Sequence, residues 1–135
     1  MKLVTRPLRD VEVLAELEWL AEFLYKGGVG GLLIEYGWGC RLPTDKLWKD
    51  LDVTSSALVA FVTKSVAGGI YVPGDSDLII RDHARTFEYM PCHESHIHFA
   101  ATDERLCQAI AKRWKEGGLD GWHVNDDNAT TPLES

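Results

Sequence analysis

Residues 78–114 read LIIRDHARTFEYMPCHESHIHFAATDERLCQAIAKRW, and the fold turns on this stretch. Residues 78–81 and 86–90 are rich in apolar and aromatic β-formers, and Asp82-His83-Ala84-Arg85 between them has the composition of a hairpin turn. Residues 91–94 turn the chain again and 95–100 make a third strand, so the stretch predicts a three-stranded meander. The period then changes: Leu106, Cys107, Ile110, Ala111 and Trp114 recur at helical spacing. Thr102 is placed to cap that helix, with Asp103 and Glu104 at its positive end and Lys112, Arg113 and Lys115 at its negative end. Gly117-Gly118 stops it.

Outward from the meander, the N-terminal half supplies helices. Residues 2–8 predict a short opening strand broken by Pro7. Asp10 then caps a helix to Lys26, whose buried stripe is Leu14, Leu17, Leu20, Ala21 and Leu24. Glu12, Glu16, Glu18 and Glu22 fall mainly off that stripe and predict an acidic outer surface. Residues 32–36 read as a strand and 45–51 as a short helix presenting Leu47, Trp48 and Leu51; 54–67 read as a longer helix ended by Gly68-Gly69, and 70–72 as a strand. Residues 122–124 add a last short strand. The expectation is a single globular domain over 1–124 and a mobile polar tail over 125–135. The fold class is α+β or mixed α/β, with helices packed on a largely antiparallel sheet around the central meander.

Composition narrows the function classes. The chain has 135 residues, 45% of them hydrophobic, with five Trp, which is enough apolar material for one core without staples. A formal charge of -7 and a pI near 5.1 oppose a nucleic-acid partner, since such binding needs a dense Lys/Arg footprint to displace counterions. Cys40, Cys92 and Cys107 are odd in number and widely spaced, which points to reduced thiols in a cytoplasmic setting. No apolar run has the roughly 18 residues needed to span a bilayer, and residues 1–13 hold no signal-peptide core, so no membrane association is expected.

The dense chemistry lies in Cys92-His93-Glu94-Ser95-His96-Ile97-His98. On a strand, His96 and His98 project to one face while Ile97 and Phe99 project to the other. Two imidazoles on one side make a metal half-site, and Cys92 or Glu94 is the candidate third ligand for Zn or Fe, with Glu88 on the neighbouring strand another oxygen donor. Cys92 beside His93 also suggests a nucleophile and base, though no oxyanion-stabilising loop accompanies it. Gly27-Gly28-Val29-Gly30-Gly31 follows a helix and precedes a strand, the reverse of a phosphate-binding loop. Asp75 and Asp77 beside Gly74 lack the spacing of a calcium loop and read as a turn.

No catalytic signature emerges, and a binding role is the expectation. The acidic surfaces at Glu12, Glu16, Glu18, Glu22, Asp75 and Asp77, with Trp38 and Trp48 as anchors, suit a basic protein partner. A small acidic cytoplasmic domain of this kind fits an immunity-type inhibitor that neutralises a basic enzyme or toxin without a cofactor. The alternative is a small metal-dependent enzyme built on His96 and His98.

Overall fold

The computed structural model describes residues 1–119, 121–124 and 130–132. Among these, the order of elements is β1 (Lys2–Val4), α1 (Asp10–Lys26), β2 (Gly31–Tyr36), β3 (Leu51–Thr54), α2 (Leu58–Ala67), β4 (Leu78–Asp82), β5 (Phe87–Pro91), β6 (Ile97–Ala101), α3 (Glu104–Glu116), β7 (Trp122–Val124) and β8 (Thr130–Pro132). The strands form one sheet in the order β3-β2-β4-β5-β6-β1-β7-β8, and every pairing is antiparallel. The class is α+β, as expected. The meander β4-β5-β6 lies at the middle of the sheet, extended on both sides by strands that are distant in sequence.

Register explains which face is buried. Ile34, Ile80, Tyr89, Phe99 and Leu3 face one another across five strands, and each is 1% exposed or less. The three helices share one core with this row, through Leu17, Leu20 and Leu24 of α1, Leu58 and Val62 of α2, and Leu106, Ile110 and Trp114 of α3. Phe99 meets Trp114 edge to face, with ring centroids 6.5 Å apart. The alternate residues form the other face: Leu33, Arg81, Glu88, Ala100 and Lys2 lie in one row, and Met90, His98 and Val4 in the next. Among the described residues, no helix packs on that second face.

Both turns of the meander are fixed by hydrogen bonds. Asp82 accepts from the Thr86 N–H at 2.7 Å and the Phe87 N–H at 3.3 Å, and the Thr86 hydroxyl donates to the same carboxylate. Arg85 takes the left-handed conformation, φ 56°, that closes this hairpin. In the second turn the Cys92 N–H donates to the His96 carbonyl at 2.7 Å, and Ser95 has φ 69°.

Several local expectations change. Arg9 rather than Asp10 caps α1, and Glu12 reaches back to the Arg9 N–H at 3.0 Å. Asp103 rather than Thr102 caps α3, accepting from the Leu106 N–H at 3.2 Å. The helix expected over 45–51 is only a 3₁₀ turn, Thr44–Lys46, because Trp48 has φ 60° and Leu51 already pairs with Ile34 in β3. Residues 70–72 are not a strand: the Ile70 and Tyr71 N–H groups donate to the Ser65 carbonyl at the end of α2, and the Val72 N–H donates to the Ser76 hydroxyl. Of the segment read as a tail, Thr130–Pro132 pairs with β7, and 125–129 and 133–135 lie outside the described residues. No helix among the described residues is long and apolar enough to cross a membrane.

Candidate functional site

Residues from three separate turns converge at one end of the sheet. Gly37-Trp38-Gly39-Cys40 leaves β2, Asp75-Ser76-Asp77 leads into β4, and Cys92-His93-Glu94-Ser95 joins β5 to β6. The first two segments are stitched together. Gly37 N–H donates to Asp77 O at 3.0 Å, Asp77 N–H to Trp38 O at 2.8 Å, and the Ser76 hydroxyl to Gly39 O at 3.0 Å. Gly39 has φ 80°, and a Cβ there would stand 2.3 Å from the Asp75 carbonyl oxygen, so only glycine allows the approach.

Asp77 ties in the third turn. Its carboxylate is buried, and Oδ1 accepts both the His93 backbone N–H and the ring Nδ1–H, each at 2.8 Å. A carboxylate only accepts in this arrangement, so the proton sits on Nδ1 and Nε2 faces outward. Glu94 Oε1 lies 3.6 Å from that Nε2. The His93 ring packs on Trp38 with centroids 4.5 Å apart and a 46° tilt. Trp38 is nevertheless 58% exposed. Trp48, 55% exposed, lies against the backbone of Gly37, where an added Cβ would meet its ring at 2.9 Å and the Asp77 Cβ at 3.1 Å. Two half-open tryptophans thus flank one buried carboxylate.

The electrostatics of this end are one-sided. Asp75 and Glu94 are exposed, and Asp10 approaches the same place, its Oδ1 being 3.8 Å from where a Gly74 side chain would begin. Among the described residues, no Lys or Arg forms an ion pair with Asp10, Asp75, Asp77 or Glu94. Trp38, Trp48, Asp75 and Asp77 are therefore brought together as a group. His93, Glu94 and Asp10 join them, three residues that read in the sequence as base, metal ligand and helix cap. The Trp-Gly and Pro-Gly-Asp turns signalled exposure, but nothing in the sequence signalled that they meet.

The α1 glutamates are placed differently. Glu16 is 5% exposed and receives Arg113 of α3 through Nε and Nη2, the latter at 2.8 Å, while the Arg113 guanidinium also lies over the Trp19 ring at 5.5 Å. It is an interhelix clamp rather than part of an outer acidic surface. Glu12 is taken up by Arg6 at 2.8 Å and by the helix cap, and these hydrogen bonds hold its carboxyl down to about 2. Glu22 pairs with Lys26 at 2.6 Å, which lowers its pKa. Glu18 remains exposed.

His96 and His98 do share a face, with ring centroids 6.1 Å apart. His96 Nδ1 is engaged by the Thr5 carbonyl at 2.7 Å, and partial burial, then the neighbouring His96, lower the His98 pKa. Cys92 and Glu94 do not complete a ligand set with them. Cys92 is buried, Glu94 turns toward His93, and no group of three His, Cys, Asp or Glu among the described residues is arranged to hold a metal ion. Burial also pushes the Cys92 thiol up, the opposite of an activated nucleophile. His83 lies on the far side of the molecule, 2.9 Å from Asp52. The chain matches no protein-family model, no curated protein and no solved structure.

Proposed function

We propose that this protein is a small acidic cytoplasmic protein-binding domain that neutralises a basic enzyme or toxin, in the manner of an immunity-type inhibitor. The observation that supports it is Trp38: an aromatic side chain more than half exposed, yet packed on a histidine that a buried aspartate holds in place. A fixed, exposed Trp loses little freedom when a partner covers it, which is how binding hot spots are built. Asp10, Asp75 and Glu94 are exposed around it, and among the described residues no Lys or Arg pairs with them. A partner that brings Lys or Arg gains charge-assisted hydrogen bonds there and approaches under electrostatic steering.

The test is reconstitution with a purified basic partner recovered by cross-linking from the source cells. A one-to-one complex should form, its association should slow with rising salt, and Trp38→Ala with Asp75→Asn should weaken it by about 2 kcal/mol or more. Unchanged affinity in that double variant, or a partner with an acidic binding face, would overturn the reading.

A further inference from the structure

The far end of the uncovered sheet face carries chemistry of the opposite sign. Met1, Lys2, Arg81, Arg85, Phe87 and Ala100 line a cavity of about 350 Å³, with Glu88 on one wall. That is within the range of small-molecule sites. In a chain of net charge -7, three cationic side chains around one hollow are a local reversal.

The sheet register builds it. Arg81, Glu88, Ala100 and Lys2 lie side by side on β4, β5, β6 and β1, and the small Ala100 leaves the floor between Glu88 and Lys2 low. Arg85 is aimed by the left-handed turn of the β4-β5 hairpin. Arg81 is fixed from two sides, by Glu35 at 2.5 Å and Glu88 at 2.8 Å, so its guanidinium is already oriented. Arg85 gives Nη2 to Asp50 at 3.0 Å and keeps its other donors. Neither Glu35 nor Asp50 lines the cavity, and among the described residues Lys2 has no ion-pair partner. The cationic lining therefore exceeds its one carboxylate. Ala100 and Met1 supply the apolar part of the lining, while Phe87 and Ala101 alternate to the core face, where they are buried.

We infer that this cavity is a binding site for a small organic anion, a carboxylate or phosphate monoester joined to a compact apolar body. The anionic head sits between Lys2 and Arg85, where charge-assisted hydrogen bonds replace its water, and the body lies on Ala100 and Met1. A second hollow of about 260 Å³, lined by Lys2, Met90, His98 and Val124, shares Lys2, Glu88 and Ala100 with the first and gives room for a longer body. The site is remote from the Trp38 end and does not depend on the role proposed for it.

Phenyl phosphate and benzoate are the probes, titrated into the ¹⁵N-labelled full chain. At least one should bind saturably below about 10 mM, a weak but specific range, shifting the amides of Lys2, Thr86, Ala100 and Thr102; the tighter of the two identifies the head group. Lys2→Gln with Arg85→Gln should weaken binding at least about tenfold, one factor of ten in the equilibrium constant. Ala100→Leu, which fills the floor and leaves every charge in place, should do the same. No saturation by either probe, or unchanged affinity in both correctly folded variants, would overturn the assignment.

Discussion

Replacing Glu16 by Ala should destabilise the protein without touching the surface around Trp38. Glu16 and Arg113 form a bidentate pair between α1 and α3, with side chains 6% and 36% exposed. Removing one member of a fully buried pair costs about 3–5 kcal/mol, because the other charge is left without compensation. In Glu16→Ala the orphan is Arg113, which is a third exposed and keeps the Trp19 ring, so the loss should be nearer about 2 kcal/mol. In Arg113→Ala the orphan is a carboxylate that is almost wholly buried, and the loss should reach about 3–4 kcal/mol. For a chain of this length Glu16→Ala then lowers Tm by about 6–10 °C. Urea denaturation of both single variants and the double variant closes the cycle. The double variant should lose clearly less than the sum of the singles, since it leaves no unpaired charge. Additive losses, or a Glu16→Ala variant within about 0.5 kcal/mol of the parent, would refute the clamp.

Other perturbations separate the site from the scaffold. Trp38→Ala should leave Tm within a few degrees of the parent, read by calorimetry, while weakening a partner complex by about 2 kcal/mol or more. Gly39→Ala should destabilise by at least about 1–3 kcal/mol in urea denaturation, because the new methyl meets the Asp75 carbonyl and φ is positive. Glu12 has a folded pKa near 2 against an ordinary 4.5, so the stability it supplies is present above about 4.5 and fades as pH falls toward 2. Glu12→Gln should flatten the Tm profile in that window. His98 runs the same way at higher pH. Its folded pKa lies below 6.5, so the folded state resists protonation and stability falls as pH drops below that value. His98→Asn should reduce that fall in a pH series of thermal melts.

The elements that could be read from the sequence were those whose evidence is local. The 3.6-residue stripe of α3, the two turns of the meander and the alternation in 95–100 each depend on neighbours in the chain, and the structure contains them. The cap of α1, the loss of the 45–51 helix and the irregular 70–72 segment depended instead on competing partners for backbone donors, including Tyr36 O and Ser65 O. Composition likewise determined the acidic balance, the unpaired cysteines and the supply of exposed tryptophans.

Tertiary structure decided what those residues mean. The positions of β1 between β6 and β7, and of β2 between β3 and β4, are set by long-range pairing that leaves no periodic trace. Glu16 and Glu18 look alike in sequence, two residues apart on one helix; only the approach of Arg113 makes the first a buried clamp and leaves the second in water. Asp77 and His93 are 16 residues apart, and no spacing rule joins them. They meet because antiparallel strands return their turns to the same end of the sheet, and there a buried carboxylate holds an imidazole under an exposed tryptophan.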